Sequence, residues 1–363
     1  MTDSKTRLSQ LQAAMQAAKV DLLAVGPTAN MRYLLDFAPH ADERLCLLLV
    51  SAAAINVVVP TLNADDLAAH TDLPLHRWPD ADGPEMALAQ ALGSQPQVKR
   101  LAVDGTMRAD FLLPLQAATT PHETITGEPL LAPLRARKSP EEIELVAQAA
   151  AQADRAMQAV IDACRPGVTE LELAWVAREA FRQDGAEEVT FTLIASGPNG
   201  AYPHHHSGGR RLQTGDAVII DIGALFNGYQ SDITRMVFLG EPPADFVAAY
   251  EAVLAANRQG RAAVRPGVAA GEIDRVTRGK LAEAGYGDYF IHRTGHGLGL
   301  EVHEQPYIMA GNEQVLAEGM VFSVEPGVYL PGKYGIRIED IVAVTDSGVR
   351  TLTGFDHQLV VKV

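Results

Sequence analysis

The sequence predicts a two-domain chain, an α/β domain followed by an internally duplicated one, and three observations carry that prediction. Its 363 residues exceed an ordinary single domain. The first third alternates short apolar runs with helical stretches, and the remainder states one pattern twice. With 47% hydrophobic and 21% charged residues, the composition supplies an ample core.

Within the first twenty residues Leu8, Leu11, Met15 and Ala18 recur at helical spacing, so the chain opens on an amphipathic helix and not on the apolar core of a signal peptide. From Val20 to Gly127 the runs VDLLAVG, RLCLLLVS, AINVVVP and LAVDG read as strands. LNADDLAAH, PEMALAQAL and MRADFLLPLQAA read as the helices between them, giving an α/β domain with a mixed or parallel sheet. No cluster of ligand residues or nucleophile with its base stands out there; the domain is expected to cap a site, build a dimer, or act as scaffold. Arg32 reads as an exposed structural arginine and not as a substrate contact.

Composition changes at EPLLAPLRARKSPEE, with three prolines, which puts the domain boundary near Leu134: residues 1–133, then 134–363. Ser139, Pro140 and Glu142 then fit an N-cap, a first-turn proline and the returning carboxylate of a capping box. A helix is expected from Pro140 to Ala163, ending before Pro166 and Gly167.

A formal charge of −15 argues against a nucleic-acid surface or an anionic membrane. The most apolar run, Leu45 to Pro60, is broken by Ser51 and Asn56 and is shorter than the ~20 residues that span a bilayer. Cys46 in an apolar run and Cys164 at a helix end read as two buried thiols, and the cytoplasm as the compartment.

RPGVTELELAWVAREAFRQDGAE, from Arg165, returns as RPGVAAGEIDRVTRGKLAEAGYG from Arg265. LQTGDAVIID, ending at Asp221, likewise aligns without a gap on LAEGMVFSVE, ending at Glu325. Duplicated halves usually pack about a pseudo-twofold axis where equivalent positions converge. Asp221 and Asp232, separated by the turn former Gly228, therefore acquire partners in Glu325 and Glu339, with the acids expected at apolar strand ends. Carboxylates gathered in a poorly solvated place repel unless cations lie between them.

Between these acids HRTGHGLGLEVHEQP supplies His292, His296 and His303, with glycines at 295, 297 and 299 expected to bend the backbone and let it approach another group. It is neither a Rossmann turn nor a zincin helix, because Tyr307 stands where a second zincin histidine would be. Four carboxylates and an imidazole without thiolate favour Mn, Co, Zn or Fe(II). Two divalent ions match the four negative charges, and a pair at ~3.5–4 Å would lower the pKa of a bridging water toward neutrality. Hydrolysis is the expected reaction.

The motifs DIG at 221–223, GYQSDITR at 228–235, HRTGHGLG at 292–299, HEQP at 303–306, EPGVY at 325–329 and GIRIED at 335–340 resemble the pita-bread metallopeptidases, in particular the branch of Xaa-Pro aminopeptidases and prolidases. The resemblance implies an α+β pita-bread catalytic domain behind a creatinase/prolidase-type N-terminal α/β domain that caps and dimerises. It implies Asp221, Asp232, His296, Glu325 and Glu339 as ligands of two divalent ions, manganese first with cobalt or zinc as alternatives. Asp232 and Glu339 would bridge the ions, and Glu325 would double as general base for a metal-bridging hydroxide. The catalytic set further takes His206 and His303 on the substrate side, stabilising the oxyanion, with Tyr329 and Arg337 orienting carboxylates. Thr234 orients Asp232, His292 lines the proline-side pocket, Tyr229 reads as packing, and His204 and His205 as solvated surface. The implied substrate is a peptide with proline second, and the implied assembly a homodimer. A metal-free creatinase-like amidinohydrolase and a non-catalytic binding protein on the same fold are the alternatives, and neither accounts for a full ligand set.

Overall fold

The structure is a computed structural model that describes residues 4–93 and 97–362; Met1 to Asp3, at the head of the expected first helix, lie outside them. The chain divides into two compact units between Arg135 and Ala136.

The first unit is built on strands β1 (Leu22–Val25), β2 (Leu47–Ser51), β3 (Ile55–Pro60), β4 (Leu75–Trp78), β5 (Arg100–Val103) and β6 (Glu123–Thr126). They form one mixed sheet in the order β4-β3-β2-β1-β5-β6, antiparallel only between β1 and β2 and between β2 and β3. Helices α1 (Ser4–Ala18), α2 (Ala29–Leu35), α3 (Thr61–Ala68), α4 (Glu85–Leu92) and α5 (Ala109–Thr119) accompany it. The four strands expected from the sequence are the four inner ones. β4 and β6 were not expected, and both are edge strands: LHRW and ETIT are largely exposed or half-exposed, so neither shows the apolar run that marks an interior strand.

The proline-rich stretch read as a boundary is also helical. α6 (Glu128–Ala136) accommodates Pro129 in its first turn, where its missing N–H costs nothing, and accepts Pro133 inside while burying Leu130 and Leu131.

The second unit begins with α7 (Pro140–Ala163), whose Ser139–Glu142 capping box forms as the sequence requires, and α8 (Glu170–Gln183), capped in the same way by Thr169 and Glu172. Strand β7 (Glu188–Ser196) leads to β8 (Ala217–Phe226), β9 (Tyr229–Gln230) and β10 (Ile233–Leu239). β8 turns into β9 through Asn227 and Gly228, both at positive φ, 48° and 79°, with Phe226 paired to Tyr229. This is the two-residue turn that Asn-Gly favours in hairpins.

Helices α9 (Ala244–Ala263) and α10 (Ala270–Glu283) open the second repeat. Strands β11 (Gly295–Gly297), β12 (Glu304–Ile308), β13 (Val321–Val324), β14 (Gly327–Leu330), β15 (Tyr334–Arg337), β16 (Asp340–Val344), β17 (Val349–Thr351) and β18 (Val360–Lys362) complete it. Sheet β18-β10-β8-β7 belongs chiefly to the first repeat and sheet β12-β11-β13-β16-β17 to the second, with β14 and β15 a separate hairpin.

Strand alternation then decides where the acids point. Val218, Ile220 and Ile222 of β8 pack with Met157 of α7 and Leu173 of α8. The repeat-equivalent Phe322 and Val324 of β13 pack with Ile273 of α10. Ala217 and Ile219, of opposite parity on β8, face Phe246 of α9 and Tyr329 and Ile336 of the β14–β15 hairpin. Asp221 shares that parity, and Glu325 follows β13 on the equivalent side. One placement differs from expectation: Asp221 lies inside β8, paired with Thr234, because Ile222 to Phe226 continue the strand beyond it. Asp232, Glu325 and Glu339 do flank strand ends. Among the described residues, no helix is long and apolar enough to cross a membrane.

Candidate active site

A cavity of about 890 Å³ in the second unit is lined by Asp221, Asp232, His296, Glu325 and Glu339, and also by His204, His205, His206, His292, His303 and Arg337. All four acids and all three loop histidines singled out in the sequence therefore meet at one place.

At its floor Asp232, His296 and Glu339 are buried, with ligand atoms within 4.8 Å of one another. His296 Nε2 lies 3.2 Å from Glu325 Oε1 and 3.7 Å from Asp232 Oδ2. His296 Nδ1 faces the Gly297 carbonyl at 3.2 Å, an acceptor only, so the ring proton of a neutral imidazole sits on Nδ1 and the Nε2 lone pair points at carboxylates. Close backbone approach makes this possible. A Cβ on Gly295 would collide with the Ser323 carbonyl, and one on Gly297 with the Gln305 carbonyl. Neither glycine has positive φ; they permit close contact between strands, and the β11–β12 pairing shifts register between His296 and Gly297.

The acids are held by complementary donors. Arg337 Nη2 donates to Asp221 Oδ2 at 2.6 Å, its Nη1 to the Tyr329 hydroxyl at 2.8 Å, and its Nε to Thr234 Oγ1 at 3.2 Å. Thr234 donates in turn to Glu339 Oε2 at 2.8 Å, so it orients Glu339, where the sequence had suggested Asp232. His292 Nδ1 donates to the Arg293 carbonyl at 2.8 Å, and burial holds its pKa down, so neutral Nε2 accepts from the Tyr329 hydroxyl at 2.8 Å. His292 thus joins the chain His292–Tyr329–Arg337–Asp221 while lining the cavity.

Among the described residues of the site, two buried carboxylate oxygens are without a partner, Asp221 Oδ1 and Glu339 Oε1. Burial, and then the neighbouring acids, push the carboxyls of Asp232 and Glu339 well above the usual range. Unpaired buried carboxylate oxygens, mutually repelling acids and an imidazole lone pair aimed among them form a donor set that fits divalent cations. Asp221 and Asp232 come from the first repeat, and His296, Glu325 and Glu339 from the second.

Above this floor His303 stacks edge-on against His296, with ring centroids 4.2 Å apart. Burial, then the neighbouring His296 and Arg293, lower its pKa to about 4, so it is neutral at pH 7. His205 is half-buried, its Nε2 bonded to the buried carboxylate of Glu170 at 2.9 Å, which corrects the solvated-surface reading for that residue; His204 is exposed as expected, and also lines the cavity. A run of three histidines on a loop gives no sign from sequence of which ones turn inward. His206 lines the cavity as well. Tyr229 is packed in a core and also donates to Glu142 Oε1 at 2.7 Å.

Sequence reasoning missed a second set of supports. Arg278, on α10, donates to the carbonyls of Phe290 and His292, each at 2.8 Å, and pairs with Asp274 at 3.1 Å. Asp274 Oδ1 in turn receives the Thr294 hydroxyl at 2.8 Å and its N–H at 3.2 Å. Buried Lys138 pairs with Glu304 beside His303. The spacing of Asp274 and Arg278 on one helix face was a weak signal of this, because such pairs are more often solvated.

Buried acids from two halves of a duplicated fold, joined by one imidazole and roofed by further histidines, define a metal-dependent hydrolase. The chain belongs to metallopeptidase family M24, whose model matches residues 144–346, and residues 7–137 match the creatinase/prolidase N-terminal domain. It is 41% identical over 361 residues to the probable dipeptidase PepE of Mycobacterium tuberculosis, covering 98% of this chain and 96% of that protein. It is 34% identical to the Xaa-Pro dipeptidase of Pyrococcus furiosus, covering 98% and 99%. A recombinant prolidase from Thermococcus sibiricus superposes with a TM-score of 0.94 at 35% identity, over 99% of this chain and all of that one. The protein is a peptidase with a creatinase-type N-terminal domain and a pita-bread catalytic domain.

Proposed function

We propose that this peptidase cleaves the bond between an N-terminal residue and proline, with two divalent ions held by Asp221, Asp232, His296, Glu325 and Glu339. The observation that carries this reading is that those five residues line one cavity, with Asp232, His296 and Glu339 buried within 4.8 Å of one another and unpartnered oxygens on Asp221 and Glu339. Relatives named Xaa-Pro dipeptidase, alike over nearly the full chain, support the choice of proline and favour a dipeptide over a longer peptide.

Asp232 and Glu339 are assigned as the bridging acids, Asp221 to one ion and His296 to the other. When bound, such a pair supplies an activated water and polarises the scissile carbonyl. Manganese is the proposed ion, and cobalt or zinc would suit the same donors. Glu325 takes the proton from the attacking water and passes it to the leaving proline nitrogen, the transfer that releases proline. Neutral His303, with His204 and His206 also lining the cavity, donates to the oxygen on which negative charge develops. Arg337 and Thr234 fix Asp221 and Glu339 by hydrogen bonds, and Tyr329 is fixed by His292 and Arg337. The first 133 residues are assigned to capping and dimerisation, and the compartment to the cytoplasm.

The test is metal analysis of the purified protein beside hydrolysis of Xaa-Pro and Xaa-Pro-Xaa after loading with manganese or cobalt. Two ions per chain and faster cleavage of the dipeptide are expected. A protein that neither binds nor responds to divalent ions would sink the proposal.

A further inference from the structure

Glu170 begins α8 and is fully buried, yet the chemistry above makes no use of it. Its carboxylate accepts the N–H of Ser196 at 2.8 Å and the Ser196 hydroxyl at 2.7 Å. It also accepts Asn199 Nδ2 at 3.0 and 3.2 Å, His205 Nε2 at 2.9 Å and the Gly208 N–H at 3.3 Å. Every donor belongs to residues 196–208, the segment that brings His204 and His206 to the cavity wall. Burial pushes the carboxyl's pKa up, but the bonds from Ser196, His205 and Asn199 outweigh it and leave the group charged at neutral pH.

The duplicated half separates folding from function. In the first repeat the start of α8 meets the returning chain through Gly167 N–H to Leu212 O, Leu212 N–H to Val168 O, Glu170 N–H to Arg210 O and Leu171 N–H to Gly208 O. The second repeat makes the same four bonds: Gly267 to Leu316, Leu316 to Val268, Ala270 to Gln314 and Gly271 to Asn312. The residue equivalent to Glu170 is Ala270, equally buried and without an acceptor on its side chain. This corner of the fold therefore closes without a carboxylate. The acid stands in the half whose returning segment carries three histidines into the cavity.

We propose that Glu170, acting through His205, is a positioning residue that pins residues 196–208 and so sets His204 and His206 against the substrate. The inference rests on the substrate-side role given to that wall under the proposed function. His205 is the hinge of the arrangement, because its Nε2 is committed to Glu170 while its two neighbours in sequence are left to the cavity. A purely structural Glu170 would cost stability wherever the loop sits. A positioning one costs turnover through His204 and His206.

The test uses the metal-loaded, full-length protein with Glu170→Ala, His205→Ala, His205→Gln, His204→Ala and the Glu170→Ala/His204→Ala double variant. Glu170→Ala and His205→Ala are expected to lower kcat on the order of 10²-fold, the scale of a misplaced catalytic group. KM should move far less, and bound metal should be unchanged. His205→Gln keeps an N–H donor and should restore most of the rate, and the double variant should lose less than the product of the two single losses. An unchanged kcat in Glu170→Ala, or additive losses in the double variant, overturns the proposal. If Glu170→Ala does not fold, Glu170→Gln keeps the shape and takes its place in the same cycle. Histidine ring NMR resonances supply a readout independent of substrate: those of His204 and His206 should move in the Glu170 variant while that of His292 stays. Shifts in all three or in none overturn the inference. A wild-type protein inactive on every Xaa-Pro substrate would refute the functional proposal, and the ring shifts would still decide this one.

Discussion

His296 Nε2 stands 3.2 Å from Glu325 Oε1 while its Nδ1 is turned to the Gly297 carbonyl, so the ring in its neutral form would present a lone pair to an acid. Only a cation or an added proton relieves that contact. Chelation is accordingly expected to lower the unfolding temperature, and divalent ion to restore it, with about 2.7 kcal/mol regained at a hundredfold excess over Kd. Calorimetric scans with and without chelator check this; coincident curves would contradict it.

Asp232→Ala removes a proposed bridging anion and should lose both ions together with activity. Glu325→Gln should keep the fold, weaken one ion and abolish most turnover. Atomic absorption on each purified variant, beside its kcat, distinguishes them, and an Asp232→Ala protein that kept two ions would refute the bridging assignment.

His303→Ala should reduce kcat on the order of 10²- to 10³-fold with both metals retained, the range for loss of an oxyanion donor. His204→Ala and His206→Ala should each lower turnover as well, since both side chains line the cavity. Should His303→Ala empty the site, His296 would no longer be the ligand of the loop.

Arg337→Lys keeps the charge but cannot serve Asp221, Tyr329 and Thr234 at once. Metal affinity is expected to fall about 10- to 100-fold, as when outer-sphere partners of a metal site are lost. Titration of the metal-free variant with manganese gives the number directly, and an unchanged Kd would show that Arg337 does not orient the acids.

Burial pushes the thiols of Cys46 and Cys164 up to about 12 from an ordinary 9.0. Both should resist alkylation at pH 8 in the native protein and react fully in denaturant. Because the folded value lies above the unfolded one, their contribution is unaltered below pH 9 and stability falls as pH rises from 9 toward 12. Denaturant midpoints across that interval provide the check; thiols that react readily at pH 8 would contradict the burial.

Much of the site could be read in the sequence because its acids recur in the two repeats, Asp221 with Glu325 and Asp232 with Glu339, and because three histidines crowd into one glycine-rich loop. The inner strands of the first sheet were legible for a related reason: burial on both faces leaves continuous apolar runs. Edge strands β4 and β6 escaped, since half-exposed LHRW and ETIT carry no period. The partnership of Glu170 with His205 escaped too. It joins residues 35 apart through a loop with no local signature, and a glutamate at the start of a helix reads as ordinary capping.

The division of the five proposed ligands between repeats has a consequence for how the molecule comes together. Asp232 and Glu339 repel across the seam, and each half alone owns an incomplete set of donors. A chain severed between Leu239 and Ala244, after β10 and ahead of α9, would yield two fragments that take up ions only on rejoining. Ion uptake would then report reassembly before any peptide is added.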